Sequence, residues 1–131
     1  YEITCRDWSS DVCSSDLLKQ EYYVLDLLTE EKELLVSRKA LKNCLQFGDF
    51  YFSRKGFDFG SRCIQAGLGS DFLLIDEIGP VELMGKGFSG DLYRVLEAYT
   101  GSLYISVRPS ILSDVIKAYS LDRHRTAIIK L

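Results

Sequence analysis

The chain has 131 residues, of which 47% are hydrophobic and 27% charged, and its formal net charge is −3. This length and apolar content suit one domain with a sizeable core, and no apolar run approaches the length of a membrane span. Because acids and bases nearly balance, the charge excludes a strongly basic protein of the nucleic-acid-binding type. We therefore expect no nucleic-acid partner and no membrane partner.

The first 17 residues do not resemble natural protein. Residues 6–17, Arg-Asp-Trp-Ser-Ser-Asp-Val-Cys-Ser-Ser-Asp-Leu, resemble a translated sequencing-library adapter, and residues 1–5 fit the same reading frame. The alternative is a natural Ser/Asp-rich tail. We expect a non-native segment over 1–17 and a partial domain over 18–131. Without the four acids and one base of the first segment, 15 acids and 15 bases remain, so the formal charge becomes zero.

Two of the four cysteines, Cys44 and Cys63, lie in the remaining chain. They have no C-x-x-C spacing and no second pair, so they are interpreted as thiols of a reducing compartment and not as a metal or redox site. With no signal peptide in view, the expected localisation is cytoplasmic.

The first half of the usable chain predicts strands. Residues 22–28 alternate and are rich in β-forming types, and residues 33–38 follow across a polar turn, which predicts a hairpin. Residues 39–47 are interpreted as a connector with a helical turn. Residues 49–52 predict a short extended segment.

The second half alternates between helices and strands. Apolar residues near helical spacing predict a helix over 57–68 and another over 88–99. Short apolar runs predict strands at 72–76, 103–107 and 126–131, and Ser110 is expected to cap a helix that continues to Tyr119. This order predicts an α/β protein with a mainly parallel sheet flanked by helices.

Two acids, Asp76 and Glu77, directly follow the apolar run of the strand at 72–76. Open α/β sheets bind their ligands at the carboxyl ends of parallel strands. In a phosphate-handling site the first acid can hold Mg²⁺ and the second can orient an attacking water. The pattern is that of a Walker B motif with a catalytic glutamate. The alternative is a strand that ends in solvated acids.

Residues 75–83, Ile-Asp-Glu-Ile-Gly-Pro-Val-Glu-Leu, make the pattern specific. They resemble the Asp-Glu-Ile-Gly-(Lys/Pro)-(Met/Val/Leu)-Glu-Leu segment of the small nucleoside-triphosphatase family, P-loop proteins found in thermophiles and as a vertebrate cancer-related enzyme. The likeness covers about residues 21–131 and is dense over 71–88. It implies a RecA-like fold and Mg²⁺-dependent hydrolysis of a nucleoside triphosphate such as ATP or GTP. Asp76 is then the expected metal ligand and Glu77 the expected general base.

A P-loop, G-x-x-x-x-G-K-[ST], is missing from the sequence. The nearest approach, residues 79–87, has one intervening residue too many and a glycine in place of the hydroxyl that would bind Mg²⁺. The resemblance therefore implies a protein truncated at its amino terminus, without its first strand and P-loop. We expect this fragment to bind nucleotide poorly and to be inactive.

Two further residues are candidates for the same site. Glu82 lies just beyond the Gly-Pro turn, where it either lines the cleft and contacts the bound nucleotide or is a solvated acid at a helix entry. Arg108 follows the strand at 103–107, where it either senses the γ-phosphate as an arginine finger in cis or is an ordinary surface residue.

Two other functions fit the same residues. One is a nucleotide-binding accessory or regulatory module, of the kind linked to molybdenum-cofactor metabolism, without significant turnover. The other is a non-catalytic interaction domain that retains only the fold. No pattern in the sequence indicates a base preference or an oligomeric state.

Overall fold

The computed structural model of the chain describes residues 21–27, 29–124 and 126–128, and of Glu77 the backbone alone. The adapter-like segment 1–17 lies outside the described residues. So do Leu28, at the end of the first predicted strand, and residues 129–131 of the last predicted strand.

An antiparallel hairpin opens the described chain, as predicted. Its strands are β1 (Glu21–Leu25) and β2 (Lys32–Ser37), paired from Leu25 opposite Lys32 to Glu21 opposite Ser37. Val24 and Val36 are buried. The alternation that predicted the hairpin therefore places one face of both strands against the interior.

A second hairpin corrects the predicted connector over residues 39–47. Its strands are β3 (Cys44–Phe47) and β4 (Phe50–Ser53), which pair with Phe47 opposite Phe50. The two-residue loop between them is Gly48-Asp49, and Gly48 has a φ of 56°, which glycine adopts readily. A Gly-Asp pair between two short runs is a hairpin signal, so the connector was wrong for residues 44–47. The extended segment predicted at 49–52 was right for residues 50–52, whereas Asp49 lies in the loop.

These four strands form one sheet in the order β1-β2-β4-β3, in which every neighbouring pair is antiparallel. The second sheet is the parallel pair of β5 (Phe72–Ile78) and β6 (Ser102–Val107). Among the described residues, parallel pairing is confined to these two strands. The mainly parallel sheet predicted for the whole chain is thus found only in its second half, because the β-α-β pattern on which it rested begins at residue 57.

The first helix, α1 (Arg54–Gly67), connects the two sheets. It begins three residues before the predicted start because the Ser53 hydroxyl caps it by accepting a hydrogen bond from the N–H of Gly56. Gly56 also faces β2, where a Cβ would collide with the carbonyl oxygen of Leu34. The helix therefore packs closely on the antiparallel sheet through a position that only glycine fits.

Three helices follow: α2 (Pro80–Leu83), α3 (Ser89–Ala98) and α4 (Leu112–Ala118). The helices α3 and α4 confirm the elements predicted over 88–99 and up to Tyr119. Ser110 does not cap α4, however. It lies in a 3₁₀ turn, Pro109–Ile111, and the residue before α4 makes no side-chain cap.

The core lies between one face of the parallel pair and the helices. Its buried members are Ile64, Leu73, Ile75, Ile78, Leu92, Val95, Val115, Tyr119 and Leu121. The opposite face of the pair is open in the described part of the chain, where Phe72 and Tyr104 are 56% and 52% exposed.

Two negative findings complete the fold. Residues 126–128 form no strand, so the described part of the predicted last strand is wrong. Within the described ranges, no helix combines the length and the apolar character that a bilayer span requires.

Candidate functional site at the carboxyl end of the parallel strands

A bulge in β5 coincides with the two acids. Ile75 pairs with Ile105 and Ile78 with Val107, so β5 takes three residue steps where β6 takes two. Ile75 and Ile78 are both buried in the core, whereas regular alternation would turn residues three apart to opposite faces. The extra residue of the bulge thus places both acid positions, 76 and 77, between two core residues. Bulges of this kind re-aim side chains beside active sites.

Asp76 is held by a residue on the neighbouring strand. The Ser106 hydroxyl donates to Oδ1 of Asp76 at 2.5 Å, from the β6 position that faces the bulge. Asp76 is half-buried and Ser106 is exposed, so the hydrogen bond lies at the rim of the sheet. With Oδ1 engaged by Ser106, Oδ2 is the oxygen that can bind a cation.

Arg108 is brought to the same edge of the sheet. It comes one residue after the pair of Ile78 and Val107, and parallel strands end at a common edge. Its side chain is exposed, and its carbonyl accepts a hydrogen bond from the N–H of Ile111 at 3.1 Å. The structure therefore places a guanidinium group on the edge at which the strand bearing Asp76 ends.

Glu82 is not a solvated acid, because it is only 8% exposed. Its Oε2 accepts a hydrogen bond from the N–H of Gly79 at 3.1 Å and its Oε1 one from the N–H of Phe88 at 3.2 Å. A Cβ on Gly87 would collide with Oε1. The Glu82 carboxylate is therefore hydrogen-bonded to both ends of the segment that follows the two acids, at Gly79 and at Phe88.

A capping pattern in the sequence is a signal for this role of Glu82. Pro80 occupies the first turn of α2 and Glu82 the third position after the Gly79 cap, which is the spacing of a capping box. The contacts support a structural role for Glu82, while its predicted contact with a nucleotide stays a prediction.

Tyr119 reinforces this loop from α4. Its hydroxyl donates to the Glu82 carbonyl at 2.9 Å and lies 3.0 Å from Oγ of Ser89. Burial raises the pKa of Tyr119, and the charge of the Glu82 carboxylate adds to the rise. The phenol is therefore neutral at physiological pH and acts as a hydrogen-bond donor.

The cysteines lie apart from this arrangement. Cys44 and Cys63 are free thiols, and burial raises the pKa of the Cys63 thiol. A raised thiol pKa opposes metal binding and nucleophilic reactivity at Cys63, while the incidental role of both cysteines stays a prediction.

The donor set at the strand ends fits Mg²⁺. Asp76 and Ser106 supply oxygen atoms, which Mg²⁺ prefers. Within the described residues, no group of three or more His, Cys, Asp or Glu side chains could hold a metal ion. A single carboxylate is a poor site for Zn²⁺, whereas Mg²⁺ is commonly held by one or two carboxylates together with the phosphates of a substrate.

Ser106 is the residue of this site that the sequence did not reveal. The run at 103–107 reads as a plain apolar strand in which one hydroxyl is unremarkable. The available signal was its position: the last residue but one of a strand predicted to lie in the same sheet as Asp76.

Comparison with known proteins adds one finding. A sequence profile of the NTPase family matches residues 15–126, a range that includes both acids, Glu82, Ser106 and Arg108. No curated protein sequence and no solved structure gave a significant match to the chain.

Proposed function

Because the chain belongs to the NTPase family, we propose that the intact protein hydrolyses nucleoside triphosphates to the diphosphate and phosphate, with Mg²⁺, on a RecA-like P-loop fold. The family match supports nucleotide-hydrolase chemistry in general terms. The observation that carries the proposal to particular residues is the acid bulge of β5, with Asp76 hydrogen-bonded to Ser106 at the carboxyl end of a parallel pair.

Asp76 and Glu77 have different roles in the proposed reaction. Asp76 would hold Mg²⁺ through a carboxylate oxygen, and the ion, when bound, would supply positive charge beside the phosphates of the substrate. Glu77 orients a water molecule and accepts its proton as the water oxygen bonds to the γ-phosphorus. The bond from the γ-phosphorus to the β–γ bridging oxygen breaks, and the diphosphate leaves with that oxygen.

The proposed role of Arg108 is to stabilise the negative charge that develops on the γ-phosphate during the reaction. A guanidinium group at the sheet edge can donate to the γ-phosphate oxygens as their negative charge spreads in the transition state. Its exposed position after β6 supports this assignment.

The phosphate-binding loop is proposed to lie in a segment of the intact protein that these 131 residues do not contain. The sequence has no G-x-x-x-x-G-K-[ST] pattern. The parallel pair has an open face in the described part of the chain, with Phe72 and Tyr104 exposed, and parallel strands are usually covered on both faces.

The test is Mg²⁺-dependent release of phosphate from ATP and GTP. The 131-residue chain should show no turnover above the blank, because its sequence lacks the G-x-x-x-x-G-K-[ST] pattern that holds the phosphates. A protein that includes the native upstream segment should turn over, and Glu77→Gln should lower its kcat by about 100-fold or more, the usual scale of a lost general base.

The control variant is Glu97→Gln, an exposed acid in α3, which should leave kcat unchanged. Turnover by the 131-residue chain that Glu77→Gln abolishes would contradict the proposed location of the P-loop. An extended protein without any turnover would contradict the proposed hydrolysis.

A further inference from the structure

We propose that Ser106 is a positioning residue, which fixes the direction in which Asp76 presents its second carboxylate oxygen to a divalent cation. The inference rests on the proposed function in one respect, namely that Asp76 is a cation ligand. It assigns a role to a residue on a different strand, outside the acid string of residues 75–83.

The register of the two strands is the first support. Between the pairs of Ile75 with Ile105 and Ile78 with Val107, β5 has two residues and β6 has one. That single residue is Ser106. It is therefore the residue of β6 opposite the acid bulge, and its side chain determines which group the acids of the bulge can contact on the neighbouring strand.

The hydrogen bond is the second support. Ser106 donates to Oδ1 of Asp76 at 2.5 Å. A carboxylate held at one oxygen loses its freedom to rotate, and its other oxygen then points in one direction. Residues that orient a metal ligand in this way commonly change metal affinity by an order of magnitude.

The surroundings argue against a role in stability alone. Ser106 is exposed, so water can replace its hydroxyl in the folded protein and the bond adds little to folding. Tyr104, the next residue of β6 on the same face, is 52% exposed and packs into no core. A fixed hydroxyl–carboxylate pair on an otherwise open face is therefore better explained by what the carboxylate binds.

The chain contains a matched control in Ser102. It lies on the same strand and the same face as Ser106, four residues earlier, and is also exposed. It pairs with Phe72 at the opposite end of β5, so removing its hydroxyl measures the loss of an exposed serine from this strand without touching Asp76.

The experiment is a Mn²⁺ titration of the 131-residue chain, followed by paramagnetic broadening of the amide signals of β5 and β6 and by competition with Mg²⁺. The variants are Ser106→Thr, Ser106→Val, Ser102→Ala and Asp76→Asn. Thr and Val have the same shape and both suit strands, but only Thr keeps the hydroxyl. Thermal unfolding of each variant measures stability separately.

We expect Ser106→Val to weaken apparent Mn²⁺ affinity about 3- to 10-fold, while Ser106→Thr and Ser102→Ala stay within about 2-fold of the wild type and Asp76→Asn removes the local broadening. Equal affinities for Ser106→Val and Ser106→Thr, with Asp76→Asn still weakened, would overturn the role of Ser106 and leave the proposed function standing. If Asp76→Asn broadens like the wild type, or the wild type shows no saturable broadening near β5, Asp76 does not bind the cation in this chain and the role of Ser106 is overturned. The hydrolysis proposed for the intact protein is tested separately, by phosphate release.

Discussion

At the scale of single residues, the loop after the acids depends on two buried polar groups. The Glu82 carboxylate accepts the N–H groups of Gly79 and Phe88, and the Tyr119 hydroxyl donates to the Glu82 carbonyl. Buried polar groups cost free energy when their partners are lost. The segment that leads away from Asp76 and Glu77 is thus fixed by hydrogen bonds to α4 and to its own backbone.

Tyr119 makes this loop sensitive to alkaline pH. Because its folded-state pKa is raised above the ordinary value of about 10, the folded state favours the protonated phenol. The resulting stability is fully present below about pH 10 and is lost as the pH rises through the folded-state pKa.

The prediction compares Tyr119→Phe with the wild type in urea unfolding between pH 8 and pH 11. At pH 8 the variant should be less stable by about 1–2 kcal/mol, since the Glu82 carbonyl loses its donor. Towards pH 11 the difference should narrow. A difference that stays constant over this range would contradict the prediction. Tyr93→Phe, which removes an exposed hydroxyl bonded to Ala118, should cost less at pH 8.

At the scale of elements, the contact of α1 with β2 is set by a glycine. The Cβ of any other residue at position 56 would collide with the carbonyl oxygen of Leu34 and lie 2.8 Å from the Cα of Leu35. Both neighbours are backbone atoms, which cannot turn aside as a flexible side chain can. The helix or the strand would have to move.

Two glycines within helices give opposite predictions for the same substitution. Gly56→Ala should lower the free energy of unfolding by about 1–3 kcal/mol, the usual cost of overpacking. Gly90→Ala, in α3 with nothing within 4 Å of the new Cβ, should raise it by up to about 1 kcal/mol through helix propensity. Urea unfolding measures both, and equal effects of the two substitutions would contradict the close α1–β2 contact.

At the scale of the whole molecule, one sheet face remains open in the described part of the chain. Phe72 and Tyr104 lie diagonally to each other on that face, because Phe72 pairs with Ser102 and Tyr104 pairs with Leu74. The core residues Leu73 and Ile75 point to the opposite face. An exposed apolar patch on a pair of parallel strands is unusual in a complete domain, where both faces of such strands are usually covered.

We predict that the 131-residue chain binds the dye ANS, and that the double substitution Phe72→Thr and Tyr104→Thr lowers its fluorescence at least about 2-fold, because both residues belong to the exposed patch. Thermal unfolding should change little, since neither side chain enters the core. Tyr93→Thr, which removes an exposed aromatic from α3, is the control for loss of a ring. Unchanged fluorescence in the double variant would show that this face is not the dye-binding surface.

The parts of the fold that the sequence predicted are those with strong local patterns. The alternating run of β1, the apolar stripe of α3 and the closed apolar run of β5 all form the expected elements. The pairing of strands was predicted less well, because eight loop residues (38–43 and 48–49) and the β3 strand lie between β2 and β4 in the chain. The local sequence pattern of a short strand does not indicate which other strand it pairs with.

The candidate site divides in the same way. Asp76 and Glu77 became candidates because they follow an apolar run, and Arg108 because it follows another. Their roles stay predictions. Ser106 was missed because its importance comes from the register between two strands distant in sequence. The buried state of Glu82 was not predicted, although its spacing after Gly79 is that of a capping box, because its partners are the backbone N–H groups of Gly79 and Phe88, whose positions depend on how the loop folds.

The bulge in β5 also makes the number of acids independent of the direction in which the core residues face. It adds one residue to an otherwise regular strand, so loss of either Asp76 or Glu77 by deletion would restore ordinary alternation and leave Ile75 and Ile78 facing inward. The second acid behaves as an insertion that the fold does not need. A one-residue deletion at either position can therefore test the acid pair separately from the hydrophobic core, because the inward-facing residues would be kept.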